Sequence, residues 1–273
     1  MHANEPTRVE CALVGAQNAL MTQSQGDRDG LTHGHGWGVA DYPDGVPFVE
    51  KQAWAAYHGE HFEKKASRIY ARTVVAHVRR ATVGSPSIEN THPFEHGRWI
   101  FAHNGTVPGF EELRSRFLDE MDPLHRSEIQ GSTDSEHIFR LLLSRWMHQP
   151  AIDLIETVRL TLEQIVEWAR DIKPDRKIGL NIVLTDGDQL VGSRLGRTLY
   201  FIERREVFHC RVCGRPHVHH DPKQAYRAVE VASEVITNED WKGVPDGTVY
   251  SVDPDYGLRF RALTLNGGHV SAR

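Results

Sequence analysis

The spacing of apolar residues changes character three times along the chain, and each change marks a set of elements. From Pro6 to about Ser24, Val9, Leu13, Ala16 and Leu20 recur at helical spacing behind Thr7 and Glu10, a pair placed as a capping box, so a helix is predicted there. Residues 25–35 are polar and glycine-bearing and read as a loop. Runs 36–42 and 46–52 then predict a strand pair about the turn Pro43-Asp44-Gly45, and a short helix is expected over 58–67. Residues 73–78 and 98–102 are β-rich and half-buried in pattern. Helical spacing returns over 109–121, 133–147 and 152–171. Strands follow at 178–185, 189–193, 198–202, 227–232 and 248–252, with turns at Asp186-Gly187 and Leu195-Gly196-Arg197.

Strands, then helices, then strands again, with no strict βαβ alternation, predict an α+β fold of antiparallel sheets layered with helices rather than a doubly wound parallel sheet. Neither a repeat nor a low-complexity linker interrupts the 273 residues, so one domain over 1–273 is expected. The net charge of -5 gives no electrostatic footprint for nucleic acid or an anionic membrane. No apolar run approaches the roughly 18 residues of a membrane span, and the polar start (His2, Asn4, Glu5) is no signal peptide. Three cysteines, an odd number, do not form a secreted disulfide framework. The expectation is a cytoplasmic protein with a small-molecule partner.

Several segments carry residues suited to chemistry. Arg79 and Arg80 leave the apolar run Val74-Val75-Ala76, and a guanidinium grips a carboxylate through two parallel hydrogen bonds. Asn104-Gly105 follows Trp99-Ile100-Phe101-Ala102. Ser132-Thr133-Asp134-Ser135-Glu136 opens a helix, with Thr133 and Glu136 spaced as a capping box and Asp134 in the first turn. Taken singly, these read as solvated strand-end arginines, a hairpin turn and a helix start.

In sequence, Ala76–Gly84, Asn90–Phe94, Phe101–Gly105 and Gly131–Glu136 resemble the class II glutamine amidotransferases, which are N-terminal-nucleophile amidohydrolases. The resemblance runs from near Ala3 to about Gly247 and implies a four-layer αββα sandwich of two mainly antiparallel sheets. It also implies site roles. Arg79, in His77-x-Arg79-x-x-Thr82, matches the residue that holds the substrate α-carboxylate, and Asp134 matches the one that receives its α-ammonium. Asn104, through its side-chain amide, and Gly105, through its backbone N–H, match the oxyanion hole. His77, Thr82 and Trp37 join the substrate-binding set. Trp37 lies in His33-Gly34-His35-Gly36-Trp37-Gly38, where His35 stands at the family's usual aspartate. The implied substrate is glutamine or a larger γ-glutamyl compound, with no cofactor for catalysis. Ammonia would be released outright or passed to an accepting partner enzyme.

The family's nucleophile is a cysteine at the first residue, whose own α-amine, with an ordinary pKa of about 7.7–8.0, serves as base. Position 2 here is His2, and Ala3–Thr7 looks like the family segment just after the first strand. The nucleophile strand is therefore expected upstream of Met1. The alternative is Cys11, in Cys11-Ala-Leu-Val-Gly15, exposed by cleavage of a ten-residue propeptide; the helix predicted across it argues against that. Two functions stand side by side: a γ-glutamyl amide hydrolase, and a catalytically silent γ-glutamyl-binding or regulatory module. As written, the chain is expected to have no meaningful glutaminase activity.

A third reading rests on residues 209–220, where Cys210-Arg-Val-Cys213-Gly214 precedes His217, His219 and His220. Two thiolates and two imidazoles, Cys210, Cys213, His217 and His219, would close a tetrahedral structural zinc site and make this an interaction insertion. The plain reading is an exposed loop with two free thiols. His33 and His35 are a weaker metal pair. Assembly into a homo-oligomer is left open by the sequence.

Overall fold

The computed structural model describes residues 1–149, 151–219, 221 and 223–265. In chain order it builds β1 (His2–Arg8), a π-helical turn (Cys11–Gly15), α1 (Leu20–Gln25), β2 (Trp37–Asp41), β3 (Phe48–Gln52), α2 (His61–Arg68), β4 (Tyr70–Val78), β5 (Phe94–His96) and β6 (Trp99–Thr106). Four helices follow: α3 (Phe110–Asp119), α4 (Pro123–Ser127), α5 (Asp134–His148) and α6 (Leu154–Ile172). The remaining strands are β7 (Gly179–Thr185), β8 (Leu190–Arg194), β9 (Tyr200–Arg204), β10 (Ala228–Ala232), β11 (Lys242–Gly243), β12 (Thr248–Val252) and β13 (Leu258–Ala262).

These strands form a seven-stranded sheet, β11-β9-β10-β1-β4-β2-β3, and a six-stranded sheet, β13-β12-β8-β7-β6-β5. Neighbours pair antiparallel throughout the described strands. Side-chain alternation sets the layers. Val39 of β2 and Val74 of β4 pack outward with Phe62 and Ala66 of α2, while their neighbours Ala40 and Val75 turn inward to Ile100 and Ala102 of β6. Phe101, between those two, points the other way and stacks on Phe139 of α5 at 5.3 Å. The result is the expected α+β sandwich, with α1 and α2 outside the larger sheet and α3, α5 and α6 outside the smaller one. No helix of the described residues is long and apolar enough to cross a membrane.

One expectation fails. Residues 2–8 are a strand near the centre of the larger sheet, not the start of a helix. Its Ala3, Glu5 and Thr7 are buried at period two, and it pairs with both β10 and β4. The Thr7 hydroxyl donates to the Glu5 carbonyl and meets the Tyr226 hydroxyl, so it caps nothing. Pro6, which has no N–H to give, falls where the β1–β4 register shifts. Val9 and Leu13 are buried as their spacing demanded, but the intervening chain is a single π turn. Pairing on both edges of a central strand outweighs a local capping signal. Nor are Asn104 and Gly105 the hairpin turn that they suggest when taken singly. Both residues lie inside β6, opposite Asn181 and Leu180 of β7.

Candidate active site

Antiparallel pairing brings three strand ends to one cleft. His2 pairs with Thr73, so the Met1 amine lies beside β4 and donates to the Val74 carbonyl at 3.0 Å. The far end of β4 runs into His77 and Arg79, and β6 of the other sheet delivers Asn104 and Gly105. All line one cavity of about 360 Å³ together with Thr82.

Arg79 is 3% exposed. Its guanidinium donates to the carbonyls of Val83 (2.9 Å), Gly84 (3.2 Å) and Ser85 (3.2 Å), holding the loop that follows β4. That engages three of its five N–H groups and leaves Nε–H and one Nη1–H. Burial pulls its pKa down, and the nearby Asp134 charge pulls it back up. Arg80, to which sequence reasoning gave no role, is exposed on the same cavity wall.

Asp134 is also buried, and both its oxygens are occupied. Oδ2 accepts the Val107 N–H at 2.8 Å, and Oδ1 accepts the Ser135 N–H at 2.8 Å. The carboxylate thus ties the start of α5 to the residue just after β6. The cavity itself is lined by the flanking Thr133 and Ser135. Thr133 caps α5 through the Glu136 N–H, but Glu136 accepts from Gln130 and Gly131 instead of closing the box. Ser135 was missed by sequence reasoning, as was its partner His103. The Gly179 carbonyl at 2.9 Å can only accept, so the His103 Nε2 donates to it; its Nδ1 meets the Ser135 hydroxyl at 2.9 Å, and that hydroxyl also lies 3.3 Å from Asp134 Oδ1.

Gly105 needs to be glycine, because a Cβ there would fall 2.0 Å from the Gly179 carbonyl oxygen. The Asn104 side chain is exposed and its amide donates to the Ser233 hydroxyl at 2.9 Å. Thr82 meets Thr106 hydroxyl to hydroxyl at 3.1 Å. The His77 ring lies 4.3 Å from that of His92, centroid to centroid. Enclosure, aided by the neighbouring His33, His103 and Arg79, pushes the His77 pKa down to about 3, and burial takes His92 well below its usual value. Both are neutral at physiological pH.

Trp37 does not belong to this group. It is fully buried in the outer cluster, edge-on to Phe62 at 5.2 Å, because alternation along β2 turns positions 37 and 39 to the helix side. His33 pairs with Asp27 at 2.9 Å, while the His35 Nδ1 accepts the Ala81 N–H at 3.0 Å. These two histidines serve different partners.

At the chain start His2–Arg8 is a strand at the centre of the larger sheet, and the cavity lining includes Met1, which carries an α-amine and a thioether. Burial lowers the pKa of that amine below its ordinary 8.0, against the raising effect of Glu230. Cys11 is on the π turn, away from the cavity lining, and its pKa is pushed up to about 12 by burial and the thiols of Cys213 and Cys210. It has no α-amine of its own to use as base. Its Sγ groups instead with those of Cys210 and Cys213 and with a ring nitrogen of His217, all within 4.8 Å of one another. His219, expected there, has its ring against Tyr70 at 5.6 Å and donates its backbone N–H to the Tyr70 hydroxyl. His220 lies outside the described residues.

Known proteins resemble the chain in sequence and in fold. The sequence model of the family described as "Glutamine amidotransferases class-II" matches residues 13–255. The chain is 28% identical over 289 residues to a probable glutamine amidotransferase of Saccharomyces cerevisiae, covering 91% of this chain and 79% of that one. Over 103 residues it is 32% identical to the γ-glutamyl-hercynylcysteine sulfoxide hydrolase of Mycobacterium tuberculosis, covering 36% of this chain and 44% of that one. A solved glutamine aminotransferase class-II domain protein from Silicibacter pomeroyi superposes with a TM-score of 0.59 at 21% identity, covering 84% of this chain and 91% of its own.

Proposed function

Since the chain belongs to the class II glutamine amidotransferases, we propose that its cavity takes the γ-glutamyl end of glutamine or of a larger γ-glutamyl compound, and that its reaction is hydrolysis of the γ-amide. The observation that carries this reading is the convergence of the Met1 amine, Arg79, Asn104 and Gly105 on one cavity. An N–H left free on Arg79 meets the α-carboxylate, and the Asp134 charge behind the wall attracts the α-ammonium. The Asn104 amide turns from Ser233 toward the developing oxyanion, alongside the Gly105 N–H. A donor already aimed at a developing oxyanion is worth roughly 3–4 kcal/mol in the transition state, and the Asn104 amide contributes that less the cost of leaving Ser233. The mycobacterial relative's name supports a compound larger than glutamine, and the yeast relative's name supports ammonia transfer to an acceptor.

The buried amine of Met1, with its lowered pKa, suits a general base. A methionine thioether has no proton to lose and is not the nucleophile this chemistry requires. That one residue favours the second reading for the chain as written: a γ-glutamyl-binding module with turnover near background. Both readings share the binding step, which calorimetry tests. Glutamine or a γ-glutamyl amide should bind one per chain, and Arg79→Lys should weaken binding at least about tenfold, because an ammonium cannot hold the three loop carbonyls and the carboxylate at once. Equal affinity in the variant overturns the carboxylate role, and absence of any γ-glutamyl binding at millimolar ligand overturns the reading itself.

A further inference from the structure

The cluster of three thiols and one imidazole on the outer flank of the larger sheet stands apart from the cavity and is independent of the functional reading. Cys11 comes from the π turn after β1, Cys210 and Cys213 from the segment between β9 and β10, and His217 from the same segment four residues on. We propose that Cys11, Cys210, Cys213 and His217 bind one structural zinc ion that staples the exit of β1 to this segment.

The donor set and its spacing carry the proposal. Around zinc, with bonds of about 2.3 Å to sulfur and about 2.0 Å to nitrogen, tetrahedral ligand atoms sit roughly 3.5–3.8 Å apart. The four donors here already lie within 4.8 Å of one another, and the Cys213 Sγ is 3.3 Å from the His217 Nε2. Three sulfurs and one imidazole nitrogen suit zinc over oxygen-seeking cations.

The backbone is shaped for the same end. Residues 210–215 make a tight turn in which the Gly214 N–H donates to the Cys210 carbonyl at 2.8 Å and the Cys210 N–H to the Arg215 carbonyl at 3.0 Å. Gly214 has φ +70°, a conformation that a residue with a Cβ adopts at a penalty. The Val212 N–H points at the Cys210 Sγ at 3.4 Å, the kind of donor that supports a metal-bound thiolate. The segment is docked on β1 without any metal, since the Arg8 N–H donates to the His217 carbonyl at 2.8 Å and Thr7 bridges Val218. Cys11 therefore faces the turn from a neighbouring strand's exit, and its position explains a ligand that the Cys-x-x-Cys spacing alone could not supply. Binding exchanges the three thiol protons for the ion, with no change of oxidation state.

The test is metal content and X-ray absorption at the zinc edge on the full chain purified without chelator. About one zinc per chain is expected, in a shell of three sulfurs near 2.3 Å and one nitrogen near 2.0 Å. Cys11→Ser should lower the zinc content at least about fivefold, and chelation should lower the unfolding midpoint by about 5 °C or more. His219→Ala should leave content and midpoint as they are. A chain without bound zinc, an intact mass that reveals a disulfide among these cysteines, or a shell of two sulfurs and two nitrogens would overturn the proposal. Because the absorption measurement uses the unaltered protein, it decides the ligand set even if Cys11→Ser does not fold.

Discussion

Acidification from pH 7 to pH 5 should destabilise the folded chain by about 4 kcal/mol through two imidazoles alone. The His77 pKa is held at about 3 and that of His2 at about 4, against 6.5 in the unfolded chain. Burial is the main cause in both, and for His2 the adjacent Met1 amine adds to it. Each group binds its proton less readily when folded. Its contribution is therefore complete above the unfolded value and is lost as pH falls from 6.5 toward the folded value. At pH 5 an unfolded imidazole is almost fully protonated, so each contributes about 2 kcal/mol of that loss. His92 acts in the same direction. The depressed carboxylates of Asp27, Asp122 and Asp253 release their stabilisation only below about pH 4, so the two windows separate. Urea unfolding followed by tryptophan fluorescence at three pH values gives the profile, and His77→Gln gives the attribution. The variant should lose about 2 kcal/mol less than the parent over the same interval. Any metal release in acid is common to both chains and cancels in that difference. Parallel profiles would refute the reasoning, since they would mean that His77 titrates normally when folded.

Other substitutions follow from the site's geometry. Gly105→Ala forces a methyl group to within 2.0 Å of the Gly179 oxygen and should lower stability by about 1–3 kcal/mol, whereas Gly26→Ala, with nothing within 4 Å, should change it by under about 0.5 kcal/mol. Equal denaturation midpoints would contradict that close approach. Asp134→Asn leaves the Val107 and Ser135 N–H groups one acceptor short, for a loss of about 1–3 kcal/mol, and should weaken γ-glutamyl binding in calorimetry. Unaltered stability and affinity would remove Asp134 from both roles.

Long elements with a clean period were legible in the sequence. Strands β2, β4 and β7 and helices α3, α5 and α6 stand within a few residues of where alternation and helical spacing put them. What was not legible depends on partners distant in sequence. Residues 2–8 look like a helix approach locally and become a strand because β10, more than two hundred residues on, lies against one of their edges. Likewise, Asn104-Gly105 has a turn's composition and a strand's conformation because Gly179 has no side chain to hold β7 away. Arg79 and Thr82 were singled out by resemblance to the family motif, and both line the cavity; the same resemblance named Trp37, which does not line it and whose burial follows from its face of β2. Cys11 was read only as a rival nucleophile: its neighbours in sequence carry no metal motif, and its neighbours in space are 199 and more residues away.

The central proposal is that this cavity takes the γ-glutamyl end of an amide and that a chain beginning at Met1 presents an α-amine there without a thiol. Its most direct test compares ammonia release from glutamine by two chains, one beginning at Met1 and one in which Met1→Cys carries a free α-amine. The first should stay at background. The second should exceed it at least about 100-fold, because thiol and amine then act on one residue beside the oxyanion donors. Adding Cys11→Ala to the second chain should leave its turnover within about twofold, while adding Asn104→Ala should reduce it about 100-fold or more. Glutamine hydrolysis by the Met1 chain that is abolished by Cys11→Ala would contradict the account.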